Sequence, residues 1–124
     1  MSMVYGKSLA GSFRYAFAGL FHAIKHNRNL KIHLLSALAV IAFSIYFHVS
    51  LYEKAILGIT ILLVISSEMI NTAIEEMVNL ITNEHKVEAK IAKDVAAGMV
   101  LVTAIGSIII GAFIFLPYIF NLSY

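Results

Sequence analysis

The chain has 124 residues, room for a single domain spanning 1–124. It is 60% hydrophobic and 13% charged, where a soluble domain is about 45–50% apolar and about 25% charged. This excludes an ordinary soluble protein and indicates an all-α integral membrane chain; with a net charge of only +2, the placement of charge says more than its total. No cysteine is present, which excludes disulfides, thiolate metal sites and dithiol redox chemistry. One proline, Pro117, no Pro/Ser-rich linker and no internal repeat argue against a second domain.

Residues 7–32 read as an amphipathic surface helix. Leu9, Phe13, Phe17, Leu20 or Phe21, and Ile24 recur at three- and four-residue spacing. Lys7, Arg14, Lys25, Arg28 and Lys31 are interspersed, so the apolar face can enter the bilayer while the cations meet lipid phosphates. The interrupting charges and the lack of a cleavage-type end do not suit a signal peptide. Three apolar segments follow, over 33–52, 55–81 and 95–120, each meeting the roughly 20-residue requirement for a transmembrane helix. The last carries no charge. Its Thr103, Ser107 and Gly111, four residues apart beside Ala104, form a stripe of small side chains suited to close helix packing within or between protomers.

Three spans place the surface helix and the 82–94 loop on one side. That side holds 8 of the 9 Lys and Arg residues, and Lys54 alone lies opposite. The positive-inside rule assigns it to the cytoplasm. Three helices per chain seal little polar surface from lipid, so an oligomer is expected.

The 55–81 span contains "SEMINTAIEEMVN", with carboxylates where hydrocarbon is expected. At about 100° per residue, Glu68 and Glu75 lie about 20° apart, Asn79 about 20° to the other side of Glu68, and Asn71 and Thr72 within about 60°. Glu76 is about 80° round. Glu75 lies about 31 Å along the helix from Lys54, one hydrocarbon thickness, and Glu68 about 10 Å deeper. Glu75 should therefore meet an aqueous ligand and Glu68 a membrane-embedded one. Asn71, Thr72 and Asn79 are equally explained as helix-joining groups. A buried carboxylate costs about 2.5–3.5 kcal/mol on insertion scales and by default marks function, such as a general base. In "TNEHKVEAKIAKD", Asp94 reads either as the N-cap of the last helix with Lys93 snorkelling beside it, or as part of a phosphate-contacting pair. Together these features suit an anionic ligand held through a divalent cation at Glu75 and by lysines, reacting with a lipid group beside Glu68. Phosphoryl transfer to a lipid alcohol would use such a layout. There is no GxxxxGK[ST] loop and no soluble kinase signature.

"SEMINTAIE", "AKIAKDVAAGMVLV", "FRYAFAGLFHAI" and "NRNLKIHLLSALAV", in order along nearly the whole chain, resemble the small integral-membrane prokaryotic diacylglycerol kinases, a family that includes the undecaprenol kinases of Gram-positive bacteria. The resemblance implies a homotrimer in the bacterial inner or plasma membrane, with a surface helix and three membrane helices per subunit. It implies MgATP-dependent phosphorylation of a lipid alcohol at the cytoplasmic face, with no nucleic-acid partner. Glu68 then resembles the catalytic base that meets the lipid substrate, Asn71 its neighbouring active-site amide, and Glu75 a metal ligand that also contacts nucleotide. Tyr15, Glu84, Lys93 and Asp94 resemble nucleotide-contacting positions. The family's other metal ligand is a glutamate in an E-R-N block; here the block is Asn27-Arg28-Asn29, and an amide is a poorer Mg²⁺ ligand. Asn79 stands where aspartate is usual, and Glu84-His85-Lys86 departs from an acidic-aromatic-His pattern. The N-R-N-L-K-I-H, A-A-G-M-V-L-V and F-L-P-Y-I stretches look more like the undecaprenol kinase branch. The alternatives are a diacylglycerol kinase, a weakened or non-catalytic member binding lipid or nucleotide, and a small transporter subunit. The last lacks support, because the other two spans carry no matching polar stripe.

Overall fold

The structure, a computed structural model, describes residues 8–122 and consists there of four α-helices: α1 (Leu9–His26), α2 (Arg28–Tyr46), α3 (Leu51–Ile81) and α4 (Val87–Ile119). Lys7, the first residue of the expected surface helix, lies outside the described residues. Three helices, α2, α3 and α4, are long and apolar enough to cross a membrane. The segment expected as one surface helix over 7–32 is divided at Asn27, and α2 takes over from Arg28 rather than from residue 33. Ser8 starts α1 by accepting from the Gly11 N–H at 3.1 Å. The apolar ridge of α1 is exposed at Phe13, Phe17 and Phe21, as an interfacial helix requires.

Local chemistry explains the remaining boundaries. α2 ends in a Schellman motif: His48 adopts a left-handed φ of 51°, its N–H reaches the Ile45 carbonyl, and the Val49 N–H reaches that of Ser44. α3 begins four residues before the expected 55, because Ser50 and Glu53 form a reciprocal capping box. α4 begins at Val87 rather than 95, absorbing most of the segment read as loop. Its first turns are amphipathic and carry an i,i+4 ion pair between Lys90 and Asp94. Asp94 is therefore inside α4 and is not its N-cap. At about 46 and 50 Å, α3 and α4 exceed the roughly 30 Å of hydrocarbon, so each tilts or extends into water.

α3 and α4 pack together most extensively and α2 lies against α3. A hydrophobic cluster closes one end, where Val49, Leu57 and Ile114 pack with Phe47, Phe115 and Tyr118. Tyr118 Oη donates to Glu53 Oε2 at 2.6 Å, tying α4 to the start of α3. Leu35, Leu38, Leu62, Leu101, Ile108 and Phe113 point outward. Lipid is as apolar as these side chains, so helix association depends on close packing and interhelical hydrogen bonds. The small-residue stripe supplies both: Thr103 and Ser67 hydroxyls meet at 2.9 Å across α3 and α4. Further along it, Ser107 and Gly111 border a groove shared with α2 and α3.

Candidate active site

The site is built around the one non-helical residue between α1 and α2. Asn27 ends α1 through its N–H to the Ala23 carbonyl and begins α2 by accepting the Leu30 N–H on Oδ1 at 3.1 Å. Because Oδ1 is turned towards α2, Nδ2 is left to face α3. It donates to Glu68 Oε2 at 3.1 Å and to Thr72 Oγ1 at 2.8 Å. The Thr72 hydroxyl gives its own proton to the Glu68 carbonyl at 3.0 Å, so it accepts from Asn27. Every partner is thus used in one consistent direction, which fixes the orientation of the Asn27 amide.

Glu68 is 1% exposed, the most deeply buried charged side chain among the described residues. Its second oxygen, Oε1, lies 3.2 Å from His33 Nε2 on α2, but the pair is not aligned as a hydrogen bond and Oε1 has no hydrogen-bond partner. One turn on, Asn71 is also buried. Its Nδ2 donates to Glu75 Oε1 at 3.2 Å, and its Oδ1 has no partner. Glu75 and Glu76 are exposed and line an open pocket of about 220 Å³ with His26, Asn27, Arg28 and Asn29. The face of α3 therefore passes from a sealed carboxylate at Glu68 to an open one at Glu75 within two turns.

A second, larger recess of about 500 Å³ lies between the end of α3 and the start of α4, lined by Asn79, Glu84, Lys93 and Asp94 among others. Lys93 Nζ donates to Asn79 Oδ1 at 2.7 Å, joining the two helices. Asp94 pairs with Lys90, and the Glu84 carboxylate lies 3.8 Å from Lys86. Asn79 follows Glu75 by one turn, about 6 Å along α3, so the two recesses lie along one helix face. Tyr15 stands apart, about 18 Å up α1 from Asn27, with the Arg14 guanidinium 5.9 Å from its ring centre.

The structure thus brings Glu68, Asn71, Glu75 and Asn27 together, and groups Glu84, Lys93 and Asp94 beside them. Sequence reasoning missed His33. The available signal was an ionisable side chain at the mouth of an apolar span, which by default points to function. Arg28, which reads in the sequence as one more interfacial cation, also lines the Glu75 pocket.

A family model described as prokaryotic diacylglycerol kinase matches residues 14–115. The chain belongs to the prokaryotic diacylglycerol kinase family. Two relatives are similar over most of its length. A diacylglycerol kinase from Synechocystis sp. is 41% identical over 116 residues, covering 93% of this chain and 66% of the relative, so the chain spans just under two thirds of that protein. An undecaprenol kinase from Bacillus subtilis is 42% identical over 106 residues, covering 86% of each. The family and both relatives are lipid kinases.

Proposed function

We propose that this kinase-family member transfers the γ-phosphoryl group of MgATP to the primary hydroxyl of a membrane lipid alcohol, undecaprenol, at the cytoplasmic face of a bacterial membrane. The observation that carries the reading is the change along α3 from buried Glu68 to exposed Glu75. A soluble phosphate donor and a membrane-bound acceptor can be met by one helix only if its polar groups face both phases.

In this mechanism Glu68 takes the proton of the lipid hydroxyl. The lipid oxygen bonds to the γ-phosphorus, the bond to the ADP oxygen breaks, and ADP leaves with that electron pair. Asn27 holds one carboxylate oxygen of Glu68, leaving the other for the incoming proton. Lys93, with Asp94 and Glu84, binds the nucleotide, and the ammonium offsets phosphate charge. The Glu75 pocket suits Mg²⁺ through the exposed Glu75 carboxylate, a hard oxygen donor; the partnerless Asn71 Oδ1 beside it is buried and would join on a turn of the amide. Among the described residues no three His, Cys, Asp or Glu side chains converge on a metal position. The remaining ligands would therefore be substrate phosphates and water, as is usual for Mg²⁺. Glu75 and Asn71 would hold the ion, which when bound neutralises phosphate charge. Asn27 Oδ1, at the second expected metal position, already accepts the Leu30 N–H.

Undecaprenol is preferred because the undecaprenol kinase relative matches at equal coverage of both chains and because of the N-R-N-L-K-I-H likeness. A homotrimer completes the proposal: three membrane helices per chain seal little polar surface from lipid, and the family resemblance implies three subunits. The test is phosphorylation by the purified protein in bilayers, comparing undecaprenol with diacylglycerol. Faster labelling of diacylglycerol would overturn the substrate choice, and labelling of neither would overturn the kinase reading.

A further inference from the structure

Glu68 offers its two oxygens unequally. Oε2 is occupied by Asn27, whereas Oε1 is sealed from solvent and lacks a hydrogen-bond partner. A buried unmet acceptor costs about 1–3 kcal/mol, more when charged, so its retention asks for a ligand. The group nearest to it is His33 Nε2, at 3.2 Å but out of line. The His33 side chain is 24% exposed, and its open side borders a narrow groove of about 90 Å³ between α2, α3 and α4. Ala37, Val64, Ser107 and Gly111 form its walls, which carry no charge. A Cβ built on Gly111 would meet nothing within 4 Å, so there is room beside α4. An uncharged groove thus reaches His33, behind which lies the unmet carboxylate oxygen of Glu68.

We propose that His33 orients the lipid alcohol for phosphorylation. The substrate hydroxyl enters between His33 and Glu68, accepts from Nε2–H, and points its proton at Oε1, while its hydrocarbon chain occupies the groove. This rests on the kinase reading above. Two hydrogen bonds of about 2.8 Å at one oxygen need a donor-to-acceptor gap of about 4.5 Å, so the His33 contact must open by little more than 1 Å. That is within the reach of a side-chain rotation. The proton passes to Glu68 as the oxygen–phosphorus bond forms, and His33 itself neither gains nor loses one. His33 therefore touches substrate and holds the oxygen on the line of attack. Positioning of this kind distinguishes a lipid alcohol from water, which has no chain to fill the groove.

The test compares His33→Leu, His33→Gln and Ala37→Leu in bilayers, reading kcat and KM for undecaprenol and for MgATP separately, with thermal unfolding alongside. His33→Leu is expected to lower kcat/KM for the alcohol about 100-fold, equal to about 2.7 kcal/mol, with KM for MgATP within about twofold. His33→Gln, which keeps a donor, should recover at least tenfold of that loss, and Ala37→Leu should raise the alcohol KM about fivefold or more. The ¹⁵N resonance of His33 Nε2, followed as undecaprenol is added without nucleotide, should shift. This readout does not depend on turnover, so it separates failure of this proposal from failure of the kinase reading. Unchanged kcat/KM in His33→Leu, an equal loss towards MgATP, a Gln variant no better than Leu, or an unmoved resonance would each overturn it.

Discussion

Asn27→Ala is the substitution that probes most of the site at once. In the native chain this side chain makes three hydrogen bonds, one to the start of α2 and two to α3. Loss of the N-cap costs about 1 kcal/mol. Glu68 Oε2 is then left in a sealed site without its donor, which costs about 1–3 kcal/mol. The Thr72 hydroxyl loses a donor too but can turn towards water at the Glu75 pocket, so little is added. The sum is about 2–4 kcal/mol. Asn27→Asp separates the contributions, because aspartate caps as well as asparagine but sets a second carboxylate against Glu68. At an effective dielectric of about 20 and about 4 Å, that repulsion is about 4 kcal/mol. Unfolding in mixed micelles by added denaturing detergent, followed by circular dichroism, should therefore show both variants weakened, with Asp no better than Ala. An Ala variant within about 0.5 kcal/mol of the native protein, or a fully stable Asp variant, would refute the assigned network.

Lys93→Ala should raise KM for MgATP about tenfold and leave KM for the lipid alcohol unchanged, as measured by steady-state kinetics with each substrate varied in turn. Tyr118→Phe removes the hydrogen bond to Glu53 at the far end of the bundle. It should cost about 1 kcal/mol in detergent unfolding while kcat and both KM values stay the same. A kinetic defect in that variant would mean that the far-end clasp is coupled to the site.

The spans were legible because membrane helices follow from hydropathy alone, and the face of α3 because periodicity places Glu68, Asn71 and Glu75 together. Helix starts were harder. The Ser50–Glu53 capping box is present as S-x-x-E, but hydropathy marks only the apolar run that follows it. The charged start of α4, with Glu88, Lys90, Lys93 and Asp94, reads as loop by polarity, although charge on one face is compatible with a helix. What the sequence concealed was tertiary. Asn27 and Glu68 are 41 residues apart, and no local rule joins an N-cap to a carboxylate on another helix. The same holds for His33, whose relation to Glu68 exists only once α2 packs on α3. By resemblance Asn27 stands at a weakened metal position. In the structure its hydrogen bonds run to α2, Glu68 and Thr72.

The most direct measurement is transfer of labelled γ-phosphate from MgATP to undecaprenol in bilayers by the native protein and by Glu68→Gln, with nucleotide binding measured on the same samples. If buried Glu68 accepts the lipid proton, the native protein labels undecaprenol, and the Gln variant loses about 10²–10⁴ in rate while binding MgATP within about twofold of native. A Gln variant that turns over at the native rate, or a loss of rate that merely follows a loss of nucleotide binding, would contradict that role for Glu68.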